Sequence, residues 1–277
     1  MTAGLIDCHA HLAHFDRNLE ELEAGLEHAG IALLLSSGMD LESSRAAVDL
    51  ASRSPRVLGA IGLHPWHVTD DWANEQTLSA FSALAADPNC VAISEVGLDT
   101  SAVDVPLPLQ REALMWFVGL AQRESLPMVL HLQVPVDELL DVWSKIDGPL
   151  PKAAIHGFAG TTRDAQLLVE HGFWLSLGTI TTGQLLGVAP VDDQVVRAVP
   201  DDRMLLDSDA YVPAELLRTV TALTPDLRDW LDGASPLEAG SLRQVAEHVA
   251  SVRGTSVEEL AEVVRLNFNR FVDRRDD

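Results

Sequence analysis

The sequence predicts a (β/α)8 barrel, a single domain over residues 1–277 with extra helices at its C-terminal end. Three observations predict it. Short apolar runs of strand length alternate eight times with amphipathic stretches of helical period. Ionisable residues stand where those runs end, and a parallel barrel brings all its strand ends to one rim. The length, 277 residues, is that of one such barrel with a modest extension, since the fold takes about 250.

The elements follow in order. Leu5 to Cys8 is the first strand, and a helix from Leu19 to His28 ends at Gly30. Ile31 to Ser36 is the second strand, with a helix over Leu41 to Ser52. Val57 to Leu63 is the third, and it stops at His64-Pro65 because proline cannot continue a central strand. A helix over Glu75 to Ala86 precedes strand four, Val91 to Ser94. The long helix from Leu109 to Glu124 is opened by Pro106 and Pro108, residues favoured at a first helical turn. Met128 to Leu130 and Ala153 to Ile155 are strands five and six, with Val136 to Ser144 helical between them. A helix over Thr162 to Glu170 leads through Gly172 to strand seven, Trp174 to Leu177. A helix over Asp193 to Val199 leads to strand eight, Met204 to Leu206. The tail is helical at Ala214 to Leu231, Ser241 to Arg253 and Ser256 to Val272, the last opened by a Ser256/Glu259 capping box.

Hydrophobic residues make up 47% of the chain, enough to fill such a core. No run approaches the ~18 apolar residues of a membrane span, and no basic and then apolar leader precedes the first strand, so a soluble, cytoplasmic protein is expected; a monomer is the default expectation. Cys8 and Cys90 sit in or beside strands and read as core residues. Cys8 alternates with His9 and so points away from it. The formal charge of −23 disfavours long-range attraction to a polyanion, so any phosphate recognition has to be local and metal-assisted.

The chemistry lies in the residues at strand ends. Period-two alternation puts His9 and His11 on one face, where two imidazoles can grip one ion. Glu95, His131, His156 and Asp209 each follow a later apolar run. Together these donors exceed the needs of one metal. A glutamate that bridges, flanked by two histidines on each side, suits two divalent ions and Lewis-acid hydrolysis, with Asp209 completing the first set and placed to orient a water and take its proton. His14, His28, His67, His171 and His248 read as surface or core-edge residues. The six tryptophans read mostly as packing, with Trp66 alone on a rim loop.

Asp7-Cys8-His9-Ala10-His11, Gly62-Leu63-His64-Pro65, Ser94-Glu95-Val96-Gly97-Leu98-Asp99, Gln110-Arg111-Glu112-Ala113 with Leu126-Pro127 and His131, His156-Gly157-Phe158-Ala159-Gly160, Leu205 to Ala210, and Asn267 to Phe271 form an ordered series. It resembles the TatD family of metal-dependent hydrolases over nearly the whole chain. The resemblance implies a TIM barrel of amidohydrolase type, two divalent ions (Zn, Mn, Mg, Fe or Ni) at its C-terminal rim, and deoxyribonuclease activity. It makes His9 and His11 ligands of one ion, Glu95 the bridge, His131 and His156 ligands of the other, and Asp209 a ligand and base. His64 becomes a substrate-contacting or proton-donating histidine. Asp7, Asp99 and Asp207 read as partners that orient ligands, and Trp66 and Gln133 as substrate contacts.

Three departures stand near the substrate. Leu132-Gln133 replaces a small residue and an arginine, Thr100-Ser101 an aromatic pair, and Asp207 to Tyr211 a more usual Glu-Thr-Asp-Ala-Pro. The leading expectation is a phosphodiesterase acting on DNA ends or single strands. An enzyme for a small amide, lactone or ester is the alternative, and an inactive binding or scaffold barrel a third.

Overall fold

The computed structural model describes residues 4–14, 18–101, 104–179, 181, 191–210 and 241–274. Eight strands form one parallel sheet in sequential order: β1 (Leu5–Ala10), β2 (Ile31–Ser36), β3 (Val57–Ile61), β4 (Cys90–Asp99), β5 (Met128–Gln133), β6 (Ala153–Ile155), β7 (Trp174–Leu177) and β8 (Met204–Leu206). Helices intervene: α1 (Leu19–His28), α2 (Leu41–Arg53), α3 (Glu75–Ala85), α4 (Leu107–Glu124), α5 (Val136–Trp143), α6 (Thr162–Glu170) and α7 (Asp193–Ala198). After β8 the described helices are α8 (Ser241–Arg253) and α9 (Val257–Phe271). The expected helix over 214–231, with Tyr211 and Trp230, lies outside the described residues.

The sheet nearly closes on itself, its ends joined just beyond β8. Ala10 pairs in parallel with Ala210, the His11 amide donates to the Ala210 carbonyl at 2.8 Å, and the Asp209 amide donates to the His9 carbonyl at 3.1 Å. The seam between first and last strands is therefore built from the neighbours of the candidate ligands. All six residues of β1 are buried, as a strand covered on both faces requires. Among the described residues no helix is long and apolar enough to cross a membrane.

Local chemistry explains the helix starts. Asn18, Asp40, Asn74, Thr161 and Ser256 cap α1, α2, α3, α6 and α9, each accepting from an amide of the first turn. The Ser256/Glu259 capping box forms as the sequence indicates. Strand lengths differ most at β4. It was expected to end at Ser94 but runs on to Asp99, pairing Val96–Asp99 with Leu130–Gln133 after a register shift past Ile93. Gly97 makes this possible, because a Cβ there would stand 1.9 Å from the His131 carbonyl oxygen. β3 stops at Ile61, two residues short of the expectation.

Helix α9 is fastened to β8 by Asn267, which is fully buried. Its Nδ2 donates to the carbonyls of Asp201 (2.5 Å) and Met204 (2.8 Å), and its Oδ1 accepts from Arg270. Asn267→Ala leaves two carbonyls short of a partner, and the expected loss is about 2–3 kcal/mol of folding stability. Urea unfolding measures it; an unchanged midpoint would show that the anchor is dispensable.

Candidate metal centre

Three side chains from the two sides of the seam, His9, His11 and Asp209, converge first with Glu95 of β4. His9 Nε2 and His11 Nε2 lie 3.2 Å apart. Glu95 Oε2 is 3.5 Å from each, and Asp209 Oδ1 is 3.7 Å from His9 and 3.3 Å from His11. Donors about 2.0–2.1 Å from a tetrahedral ion stand roughly 3.3–3.4 Å from one another. The four carboxylate–imidazole separations, 3.3–3.7 Å, lie near that spacing and are longer than charge-assisted hydrogen bonds, as suits a shared cation. Asp209 holds its place with φ of 51°, a left-handed conformation that aspartate tolerates.

The second set shares Glu95 through its other oxygen. His131 Nδ1 and His156 Nε2 are each 2.7 Å from Glu95 Oε1 and 3.2 Å from each other. These are hydrogen-bond distances, so the second set is held by protons where the first is spaced for an ion. His131 is braced from behind by Asp99, whose Oδ2 lies 3.2 Å from its Nε2. Asp99 also accepts from the indole N–H of Trp66 at 2.6 Å. A proton kept on Nε2 by Asp99 leaves Nδ1 to serve as a ligand.

His64 differs in kind. Its Nε2 stands 3.5 Å from Glu95 Oε1, and it belongs by proximity to a group with Glu95 and His131 whose donor atoms lie within 4.8 Å of one another. Its Nδ1, however, accepts from the Trp66 amide at 3.1 Å. The proton of the neutral ring is thus on Nε2, which faces the centre as a donor and not as a ligand.

Electrostatics agree. Burial, reinforced by the nearby His156, lowers the pKa of His9 to about 4, keeping the ring neutral. Burial also holds His64 well below the ordinary histidine range. Burial opposes ionisation of Glu95, but His64, His156 and His9 outweigh it and hold the carboxyl well below its usual range. The same contest, won by His11, His156 and His9, takes Asp209 to about 2. For His131 burial works against the charge, yet Asp99 and Glu95 on its two nitrogens lift it to about 10.

Residues beneath the donors set their positions. Asp7 accepts from the Ser208 amide (3.0 Å), the Ser208 hydroxyl (2.5 Å) and the His9 amide (3.3 Å), tying β1 to the segment that carries Asp209. Burial raises its pKa to about 7. Asp207 accepts from the Gly157 amide at 2.9 Å and so fixes the backbone next to His156. A Cβ at Gly62 would come 2.3 Å from the Glu95 nitrogen, so the chain leaving β3 can pass Glu95 only as glycine.

With this arrangement in view, the profile of the TatD related DNase family matches residues 6–273. The chain belongs to the TatD family. It is 31% identical over 201 residues to the 3′-5′ ssDNA/RNA exonuclease TatD of Cronobacter turicensis, covering 72% of this chain and 74% of that protein. It is 25% identical over 268 residues to YabD of Bacillus subtilis, an uncharacterized metal-dependent hydrolase, covering 96% of this chain and 98% of YabD. The fold is shared with the crystal structure of the TatD homologue YjjV from Escherichia coli, at a TM-score of 0.80 and 23% identity over 99% of this chain and 100% of that one.

In this TatD-family hydrolase the six residues expected to ligate, His9, His11, Glu95, His131, His156 and Asp209, are brought together. Asp7, Asp99 and Asp207 lie behind them, though Asp207 acts on backbone and not on a ring. Trp66 spends its indole N–H on Asp99, with its ring edge-on to His64 at 4.5 Å. Gln133 is exposed at the end of β5, outside the cluster. Cys8 meets Ser176 at 3.0 Å. Sequence reasoning missed Ser37 and Ser94, whose hydroxyls lie 2.9 and 3.2 Å from His9 Nδ1. A proton donated there leaves Nε2 free to ligate, and no short-range pattern announces such a pair.

Filling the second set must displace the proton that His131 holds below a pH of about 10. Calorimetric loading with Mn2+ or Zn2+ at pH 7–8, in buffers of different ionisation enthalpy, should show release of about one proton from this residue. Affinity at this set should rise with pH as proton competition fades. His131→Gln should lose that proton release; release identical to the parent protein would remove His131 from the set.

Proposed function

We propose that this hydrolase is a two-metal phosphodiesterase acting on DNA ends or single strands. The observation that carries the reading is Glu95, whose two oxygens face two separate donor sets. His9, His11, Glu95 and Asp209 would hold one divalent ion, and His131, His156 and Glu95 the other. The chemistry such a pair supplies is polarisation of a phosphoryl oxygen and neutralisation of the charge that develops in displacement.

The protein's own groups do the rest. Asp209, ionised down to a pH of about 2, accepts a hydrogen bond from the attacking water and orients it. So low a pKa makes it a better anchor than base, so its contribution is chiefly geometric. His64, neutral and carrying its proton on Nε2, donates a hydrogen bond to an oxygen of the phosphodiester. Intact donors at every expected position speak against an inactive scaffold. The exonuclease relative supports a single-strand substrate, acting as it does on ssDNA and RNA.

Mn2+- or Mg2+-loaded protein should cleave single-stranded oligonucleotides faster than blunt duplex. Asp209→Asn should lower kcat by roughly 10²-fold with the fold retained, the scale of a misplaced reacting group, and His64→Ala should slow turnover while sparing metal stoichiometry. Unchanged turnover in Asp209→Asn would exclude it from the reaction. Hydrolysis of a lactone, amide or small ester panel with no oligonucleotide cleavage would replace the nuclease reading by its alternative.

Salt dependence gives an independent check. With a formal charge of −23, few phosphates can be met favourably. One to three contacts give a slope of log K against log salt of about −0.7 to −2 for a single strand. A slope several times steeper would point to an extended basic track that the described residues do not supply.

A further inference from the structure

Gln110 and Arg111 are consecutive residues of the family series, and on α4 they turn opposite ways. Arg111 reaches outward to Glu138 of α5. Gln110, in the first turn of the helix, points inward and is only 1% exposed. A primary amide in such a place has to spend its donors and its acceptor on other protein groups.

It spends them on the end of β4. Gln110 Oε1 accepts from the Asp99 amide at 2.8 Å, and its Nε2 donates to the carbonyls of Asp99 and Val105, each at 2.9 Å. The reason lies in the sheet. Backbone groups of successive strand residues point to alternate edges, and the Thr100 amide already donates across to the Gln133 carbonyl of β5 at 3.2 Å. The amide and carbonyl of Asp99 therefore face the opposite edge, where β3 offers no partner because its last paired residue, Ile61, lies beside Ile93. The side-chain amide of Gln110 stands in for the missing strand, as a donor and an acceptor in one group.

Every polar atom of Asp99 is thereby engaged. Its Oδ1 accepts from the Ser101 amide at 2.6 Å, and its Oδ2 meets the Trp66 indole N–H at 2.6 Å and His131 Nε2 at 3.2 Å. A carboxylate anchored through its own backbone can hold a ring in place. We propose that Gln110 is a positioning residue for the second donor set: it clamps the backbone of Asp99, and the carboxylate so fixed sets the orientation and tautomer of His131. The inference rests on the reading that His131, His156 and Glu95 hold a second divalent ion, and it is independent of the substrate.

The test uses Gln110→Met, which keeps the length of the side chain and removes its amide. Gln122→Met is the control, removing the same group from the other end of α4, where Nε2 donates to the carbonyls of Asp147 and Pro149. Titration of metal-free protein with Mn2+, followed by electron paramagnetic resonance, should give the parent two binding steps, and the step that His131→Gln abolishes belongs to the second set. Gln110→Met should weaken that step about tenfold, the lower end for a residue behind a ligand, and leave the other step within about twofold. In an Asp99→Ala background the same substitution should add less than about twofold, because the route runs through that carboxylate. A metal-free readout accompanies the titration. Among the indole N–H resonances of the six tryptophans, that of Trp66, assigned with Trp66→Phe, should shift in Gln110→Met and stay in place in Gln122→Met. Gln110→Glu, which keeps the acceptor and loses both donors, gives the same readouts if the methionine variant does not fold. If the parent takes two ions and Gln110→Met weakens both steps alike, weakens neither, adds its full effect to Asp99→Ala or leaves the Trp66 resonance unmoved, the positioning role is overturned and the two-ion reading stands. If the parent takes one ion only, the two-ion reading falls and the positioning role with it.

Discussion

A carboxylate taken out of water needs compensating partners, and the rim of this barrel is organised around that need at Glu95. Only 2% of its surface remains exposed, and its two oxygens stand within hydrogen-bonding or ion-pairing reach of His9, His11, His64, His131 and His156. Those five rings come from four strand ends, β1, β3, β5 and β6, or from the turns that follow them. Moving Glu95 by a fraction of an ångström would therefore disturb four strands at once. The glycines at 62 and 97 are the negative image of this constraint: the backbone approaches so closely on either side that a methyl group would displace Glu95 or the strand carrying His131.

The two donor sets are not equivalent, and the difference has a local cause. His9 has only serine hydroxyls behind it, which leave it neutral and outcompeted for protons. His131 has a carboxylate on each nitrogen, which makes it a cation in the absence of a metal. One half of the centre is thus assembled for an ion, and the other half is assembled for a proton that an ion must replace. Asp99 and Trp66 form the support of that second half, so the rim loop after β3 reaches the centre through a hydrogen bond to a carboxylate.

Much of this was legible in the sequence because it depends on strand ends. The eight apolar runs were found in place, and alternation alone put His9 and His11 side by side. The length of β4 was not legible. Ser94 to Asp99 mixes polar residues and a glycine in a way that reads as a loop, and only the close passage of β5 shows why those residues remain extended. The tautomer of His64 was equally hidden, since it is decided by a backbone amide two residues along. The place of Trp66 on the rim was legible, but the engagement of its indole nitrogen by Asp99 was not. Ser37 and Ser94 carry no signal of their own: small hydroxyls near strand ends are common, and their value lies in facing one particular ring.

The barrel seam joins these themes. Asp7 and Ser208, 201 residues apart in the chain, are hydrogen-bonded directly beneath His9 and Asp209, and the same few residues complete the circle of strands. An ion gripped by His9, His11 and Asp209 would be a cross-link between the first and last strands, closing a loop of nearly the whole sheet. Such a clasp acts through the folded chain alone: an ion that binds only the closed ring shifts the balance toward closure as its free concentration rises. Metal supply would then set the mechanical integrity of the barrel as well as its chemistry, and depletion would be felt first as a ring that opens where it was joined.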